Sequence, residues 1–89
     1  MAWTIKTKPT AAKQLSDLDR PIQKRIRKFL IERIAPLDNP RSVGEALSGP
    51  LGDYWKYRIG DYRIICDIQD NNITILVLTI GNRNQVYRK

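Results

Sequence analysis

Lys56, Arg58 and Arg63 are the residues in this sequence around which chemistry could be organised. They lie in Tyr54-Trp55-Lys56-Tyr57-Arg58-Ile59-Gly60-Asp61-Tyr62-Arg63-Ile64-Ile65, where aromatic or aliphatic residues alternate with basic ones on both sides of Gly60-Asp61. Alternation with a period of two marks a half-buried strand, and Gly at the first position of a two-residue loop suits a type II′ hairpin turn. That turn sets Ile59 opposite Tyr62, Arg58 opposite Arg63 and Tyr57 opposite Ile64. Lys56 and Arg58 then share a face, and Arg63 joins them from the partner strand. Like charges across a ladder cost a few tenths to about 1 kcal/mol. Two readings of the cluster stand: a solvated sheet face on which long side chains splay apart, or a site for an anion such as phosphate. Arg offers a planar fork to such a ligand and Lys a point charge.

The composition narrows the chemistry. Sixteen Lys and Arg against 9 Asp and Glu give 89 residues a formal charge of +7. That balance favours a polyanionic partner: nucleic acid first, an acidic protein segment second, an anionic membrane surface third. The chain has no histidine, which removes Ser-His-Asp and Cys-His sites and any His-ligated metal. The carboxylates are few and scattered, so neither a two-metal nuclease centre nor a glycosidase pair is indicated, and no Gly-rich phosphate loop occurs. No metal or other cofactor is expected. Catalysis here has to run on Lys, Arg and Tyr, which suits reactions limited by negative charge. Phosphoryl transfer on RNA is one, because the neighbouring 2′-OH supplies the nucleophile. Cys66, the one cysteine, reads as a small buried hydrophobe. No apolar run approaches the ~20 residues of a membrane span, and the opening residues lack a signal-peptide core. With no partner for a disulfide, a reducing cytoplasmic location is expected.

The elements that must position these groups can be read in order as one domain over residues 1–89. Ala2 to Lys6 alternate as a short strand. Pro9 opens a helix carrying Ala12, Leu15 and Leu18 at helical spacing, and Asp19 with Pro21 starts a second. The second runs from about Arg20 to Ala35, with Ile22, Ile26, Phe29, Leu30 and Ile34 as its apolar stripe. Ile31 falls on its polar side, and Arg33 falls inside the apolar arc, where it has to snorkel or find a partner. Arg20, Lys24, Arg27 and Lys28 form a basic face, either ordinary solvated surface or a contact for a nucleic-acid backbone. Pro36 through Gly52 reads as a connection with little structure of its own, in which Val43, Ala46 and Leu47 tuck one short turn against the core. After the basic hairpin come the apolar run Ile64 to Ile68, a turn at Asp70-Asn71-Asn72, and a last strand from Ile73 to Ile80. With Asn71-Asn72 as a two-residue loop, Ile73, Ile75 and Val77 share the core face of Ile64, Cys66 and Ile68. The same register sends Leu76, Leu78 and Ile80 to the face of Arg63, as a groove that part of the chain or a partner covers. Arg83 and Tyr87 come after the last strand. Tyr87, taken alone, is an aromatic that packs on whatever lies near a chain end.

A strand, two helices, an aromatic-Lys-x-Arg run, Gly60-Asp61-Tyr62-Arg63, an apolar strand and Gly81-x-Arg83 ending in Val86-Tyr87 together resemble the RelE family of bacterial toxins, part of the RelE/ParE superfamily. The likeness covers nearly the whole chain, including the Leu47-x-Gly49 stretch before the hairpin. It implies an α+β fold similar to small microbial ribonucleases: an N-terminal strand, a helical hairpin and a three-stranded antiparallel meander completing a small, mostly antiparallel sheet. It also implies a metal-independent, ribosome-dependent endoribonuclease that cleaves mRNA in the ribosomal A site, with 16S ribosomal RNA as a contact and a RelB-like antitoxin as inhibitor. Lys56, Arg63, Arg83 and Tyr87 match the acting positions of such toxins, and Arg58 a further basic one. RelE toxins can carry a basic residue two positions before Lys56, where this chain has Tyr54. The reaction expected is attack of the 2′-OH on the adjacent phosphorus. With no imidazole present, either Tyr87 or Lys56 takes the proton, and the preferred assignment is Tyr87 as base with Lys56 assisting or protonating the leaving group. Lys24, Arg27 and Lys28 would then meet RNA. The alternatives are a ParE-like toxin that inhibits DNA gyrase and a basic RNA-binding domain without catalysis.

Overall fold

A computed structural model describes residues 2–47 and 53–82. Strand β1 (Thr4–Thr7) leads into α1 (Pro9–Ser16) and α2 (Arg20–Lys28), and α2 continues as a π-helical turn over Phe29–Ile34. A short 3₁₀ turn at Pro40–Ser42 precedes β2 (Glu45–Ala46), and β3 (Trp55–Ile59), β4 (Tyr62–Gln69) and β5 (Thr74–Asn82) form the meander. The five strands make one sheet in the order β1-β5-β4-β3-β2. Its one parallel pair is β1 with β5, so the expected mostly antiparallel α+β architecture holds. Among the described residues no helix is long and apolar enough to cross a membrane.

Both helices start on a proline at the first or second position, where its missing N–H costs nothing. Gln23 ties their junction by donating from Nε2 to the carbonyls of Leu18 (2.6 Å) and Ser16 (3.2 Å). The stripe read from α2 is the one that packs: Ile26, Leu30 and Ile34 are buried with Ala11 and Leu15 of α1 against Tyr57, Ile64, Cys66, Ile75 and Val77. The end of the helix departs from the sequence reading. The Ala35 N–H bonds the carbonyl of Leu30, five residues back, and the extra residue in that turn changes the direction in which the side chains of this segment point. Ile34 and Ala35 stay buried, while Arg33 faces solvent and has no apolar arc to escape from.

Two other expectations are corrected. The connection before the hairpin contains a strand, β2, which sits at the sheet edge with Glu45 opposite Lys56 and Ala46 opposite Trp55. The register of β5 holds only in its first half, where Ile68 faces Ile75 and Cys66 faces Val77. A bulge between Ile65 and Cys66 then skips Leu78, so Ile65 faces Thr79 and Ile64 faces Ile80. Ile80 is therefore a core residue, 2% exposed, and not a neighbour of Arg63. The physical cause lies in α1. Lys8 makes the last backbone bond to β5, its N–H donating to the Val77 carbonyl (2.9 Å). Beyond it the Gln14 side-chain carbonyl takes the backbone's place, accepting from the Ile80 N–H (2.6 Å) and the Thr79 hydroxyl (2.9 Å). At the other end Ile73 adopts a left-handed conformation (φ 49°) closing the 3₁₀ turn Asp70–Asn72. It is exposed rather than on the core face.

Candidate functional site

The β3–β4 hairpin has the register read from its sequence: Ile59 opposite Tyr62, Arg58 opposite Arg63, Tyr57 opposite Ile64. Gly60 takes φ +55°, and Asp61 is not among the positive-φ residues, the pattern of a type II′ turn. A methyl group at Gly60 would meet the guanidinium of Arg25 at 3.5 Å, so a cation of α2 reaches the turn from the helix side.

Alternation along these strands separates two surfaces. Tyr57, Ile59, Ile64 and Cys66 point to the helices and are buried. Lys56, Arg58 and Arg63 project from the opposite face, Arg58 exposed and the other two half-buried. Arg58, Gly60, Asp61, Tyr62 and Arg63 line a small hollow of about 10 Å³, open to solvent, at the hairpin end. Three cations on one sheet face, two of them directly opposed, give the charge density that a phosphate group satisfies. The structure thus brings together three of the residues singled out from sequence. Lys24, Arg27 and Lys28 are exposed on α2, across the sheet from that face, and constitute a second basic surface. Arg83 and Tyr87 lie outside the described residues.

The hairpin's edge is braced by the segment before it. The buried Tyr57 hydroxyl donates to the carbonyl of Pro40 at 2.6 Å, and its ring meets Phe29 edge-on with centroids 6.0 Å apart. The Trp55 indole donates to the carbonyl of Val43 at 2.7 Å. Arg41 grips Asp70 through both guanidinium nitrogens at 3.0 Å. Gly44, at φ +86°, packs so closely that a Cβ would lie 2.4 Å from the carbonyl oxygen of Lys56. These contacts fix β2 alongside β3, and the product is an ion pair that the sequence reading missed. Glu45 Oε2 lies 3.1 Å from Lys56 Nζ. No local signal reveals it, because β2 is two residues long and too short for periodicity.

Burial decides which groups are chemically inert. Desolvation raises the Tyr57 phenol well above its ordinary range, so it stays a donor and is no proton acceptor. Desolvation also pushes the Cys66 thiol up to about 12, as expected for a small buried hydrophobe. The hydrogen bond from Arg41 holds the Asp70 carboxyl below the usual carboxylate range.

Residues 5–87 match the family described as ParE toxin of type II toxin-antitoxin system, parDE. The chain belongs to that toxin family. Relatives of this RelE/ParE-family toxin include toxin RelG of Mycobacterium tuberculosis, 27% identical over 89 residues and covering all of both chains. Toxin RelE of the same organism is 30% identical over 79 residues, 89% of this chain and 79% of the relative. Among solved structures, the RelBE2 toxin-antitoxin complex of M. tuberculosis superposes with a TM-score of 0.84 at 25% identity, over 93% of each chain. The isolated RelE toxin of E. coli gives 0.72 at 20% identity, over 97% of this chain and 92% of that one, a likeness of fold. The toxin's sheet with its helical hairpin is thus the RelE architecture.

Proposed function

We propose that this toxin is a ribosome-dependent endoribonuclease that cuts mRNA in the ribosomal A site and so inhibits translation. The observation that carries the reading is the convergence of Lys56, Arg58 and Arg63 on the sheet face turned away from the helices. In the proposed reaction a ribose 2′-OH attacks the adjacent phosphorus, the bond to the 5′ oxygen breaks, and the products are a 2′,3′-cyclic phosphate and a 5′-OH. Arg63 and Arg83 stabilise the charge that builds on the phosphate, the largest contribution such sites usually make. Arg58 holds the neighbouring backbone. Tyr87 takes the 2′ proton and Lys56 assists or protonates the leaving oxygen.

An unperturbed Tyr is phenolate in only about one molecule in a thousand at neutral pH, and nearby cations raise that share. Weak acid and base groups leave much of the rate to in-line alignment of the substrate. A ribosome supplies that alignment, and the second basic surface, Lys24, Arg27 and Lys28, would face its 16S ribosomal RNA while the sheet faces mRNA. The toxin would act in the cytoplasm. A RelB-like antitoxin, acidic to amphipathic, would neutralise it by covering the cationic face and the half-buried Leu76 and Leu78 near it; related structures are toxin-antitoxin complexes.

Primer extension on translating mRNA tests the proposal. Codon-phased cuts that disappear in Arg63→Ala support it; their absence with the parent toxin refutes it. The family description, ParE toxin, favours a second reading, inhibition of DNA gyrase. Loss of supercoiling activity without mRNA cleavage would establish that one instead.

A further inference from the structure

We propose that Glu45 is a built-in competitor for the phosphate: it holds Lys56 in the free toxin, and an RNA phosphate binds by taking over that ammonium. The inference rests on reading the Lys56, Arg58 and Arg63 face as a phosphate site. Glu45 and Lys56 are direct partners across the β2–β3 ladder, with Oε2 and Nζ 3.1 Å apart. Their surroundings are unequal. The Lys56 side chain is 16% exposed, whereas that of Glu45 is 68% exposed. The carboxylate can therefore rotate into water at little cost, while the ammonium stays where the sheet puts it. Exchange moves the glutamate and leaves the cation aimed at the incoming anion.

The fold does not depend on this pair. β2 is already fixed by the Trp55–Val43 and Tyr57–Pro40 hydrogen bonds, by the Arg41–Asp70 clamp and by the close packing of Gly44. An ion pair with one partner in water changes a folding equilibrium by at most about fivefold. Its position is what counts. It sets a carboxylate beside a cluster of cations, two of which already face each other across the hairpin. While Glu45 is in place the cluster carries one unit less positive charge. A phosphate that displaces it restores the full charge at the anion, so the site is strongest when occupied.

The test is a double-mutant cycle read by titrating the folded toxin with inorganic phosphate and tracking the backbone amide NMR shifts of β3 and β4. Glu45→Gln should tighten phosphate binding about two- to fivefold, the range an exposed pair can withhold. In a Lys56→Met background, or Lys56→Gln if the methionine variant folds poorly, the same substitution should leave affinity unchanged. Glu32→Gln, an equal change of net charge in the helical layer, should leave it unchanged as well. Weaker or equal binding by Glu45→Gln overturns the proposal, as does an equal gain when Lys56 is absent, which would mean general electrostatics. The cycle needs no cleavage. Coupling between Glu45 and Lys56 in a toxin that cuts no mRNA would support the exchange and refute the nuclease reading. Codon-phased cleavage without that coupling would refute the exchange alone.

Discussion

The two faces of one sheet have opposite physical constitutions. On the helix side, Tyr57, Ile64, Cys66, Ile75 and Val77 are out of water, interlocked with Ile26 and Ile34. On the other side, residues one position away along the same strands are Lys56, Arg58 and Arg63, with Asp67 beyond them and one buried apolar residue, Ile65, opposite Lys56. The first face supplies most of the hydrophobic stabilisation, and the second gives some of it back through opposed like charges. The lesson is that stability and anion recognition are carried by alternate residues of the same backbone. A substitution on one face should therefore leave the property of the other nearly intact.

The sharpest way to break that division is to cut into the core. Ile64→Ala removes a fully buried side chain opposite both Tyr57 and Ile80. It should cost about 2–5 kcal/mol in urea unfolding, while the molecules still folded bind phosphate as the parent does. Its counterpart on the other face is Arg63→Ala. That variant should lose about a hundredfold or more of mRNA cleavage, with its unfolding midpoint close to the parent's. If Arg63→Ala instead unfolds the protein, the two faces are not separable.

Smaller effects probe the brace that links them. Tyr57→Phe leaves the Pro40 carbonyl without its hydroxyl donor, and should cost about 1–3 kcal/mol by thermal unfolding. Gly44→Ala combines a positive φ with a Cβ pressed on the Lys56 carbonyl. It should cost on the order of 1–3 kcal/mol and shift the amide resonances of Lys56, because β2 has to move. The smallest effect at neutral pH is that of Cys66. Its folded-state pKa of about 12 lies above that of the unfolded chain, so the unfolded state gives up its proton first. Stability should be flat below the ordinary thiol range, roughly pH 8.5, and fall as pH rises toward the folded value. Cys66→Ala should flatten that slope in urea titrations at successive pH values.

Legibility tracks the range of the interactions involved. The Gly60-Asp61 turn fixes its own register through backbone geometry, so Arg58 opposite Arg63 is readable from a short local stretch. The stripe of α2 is readable because burial imposes its period on any helix packed along one side. Arg33 escapes that reading because the π-helical turn over Phe29–Ile34, closed by the Ala35 to Leu30 bond, alters the angle per residue, and nothing in the local sequence announces it. Ile80 escapes it for a similar reason. Just past the bulge at Leu78, Ile80 is held by Gln14, 66 residues earlier.

The amino-acid sequence alone determined which side chains share the hairpin face, since strand alternation and a two-residue loop leave one arrangement of Lys56, Arg58 and Arg63. It likewise determined the family, through motifs spread along the whole chain. Tertiary structure decided that Lys24, Arg27 and Lys28 lie across the sheet from those cations, that Ile80 joins the core, and that Glu45 meets Lys56. Each of these depends on elements distant in sequence being held in contact by packing and side-chain hydrogen bonds, and no periodicity within one segment encodes such a contact.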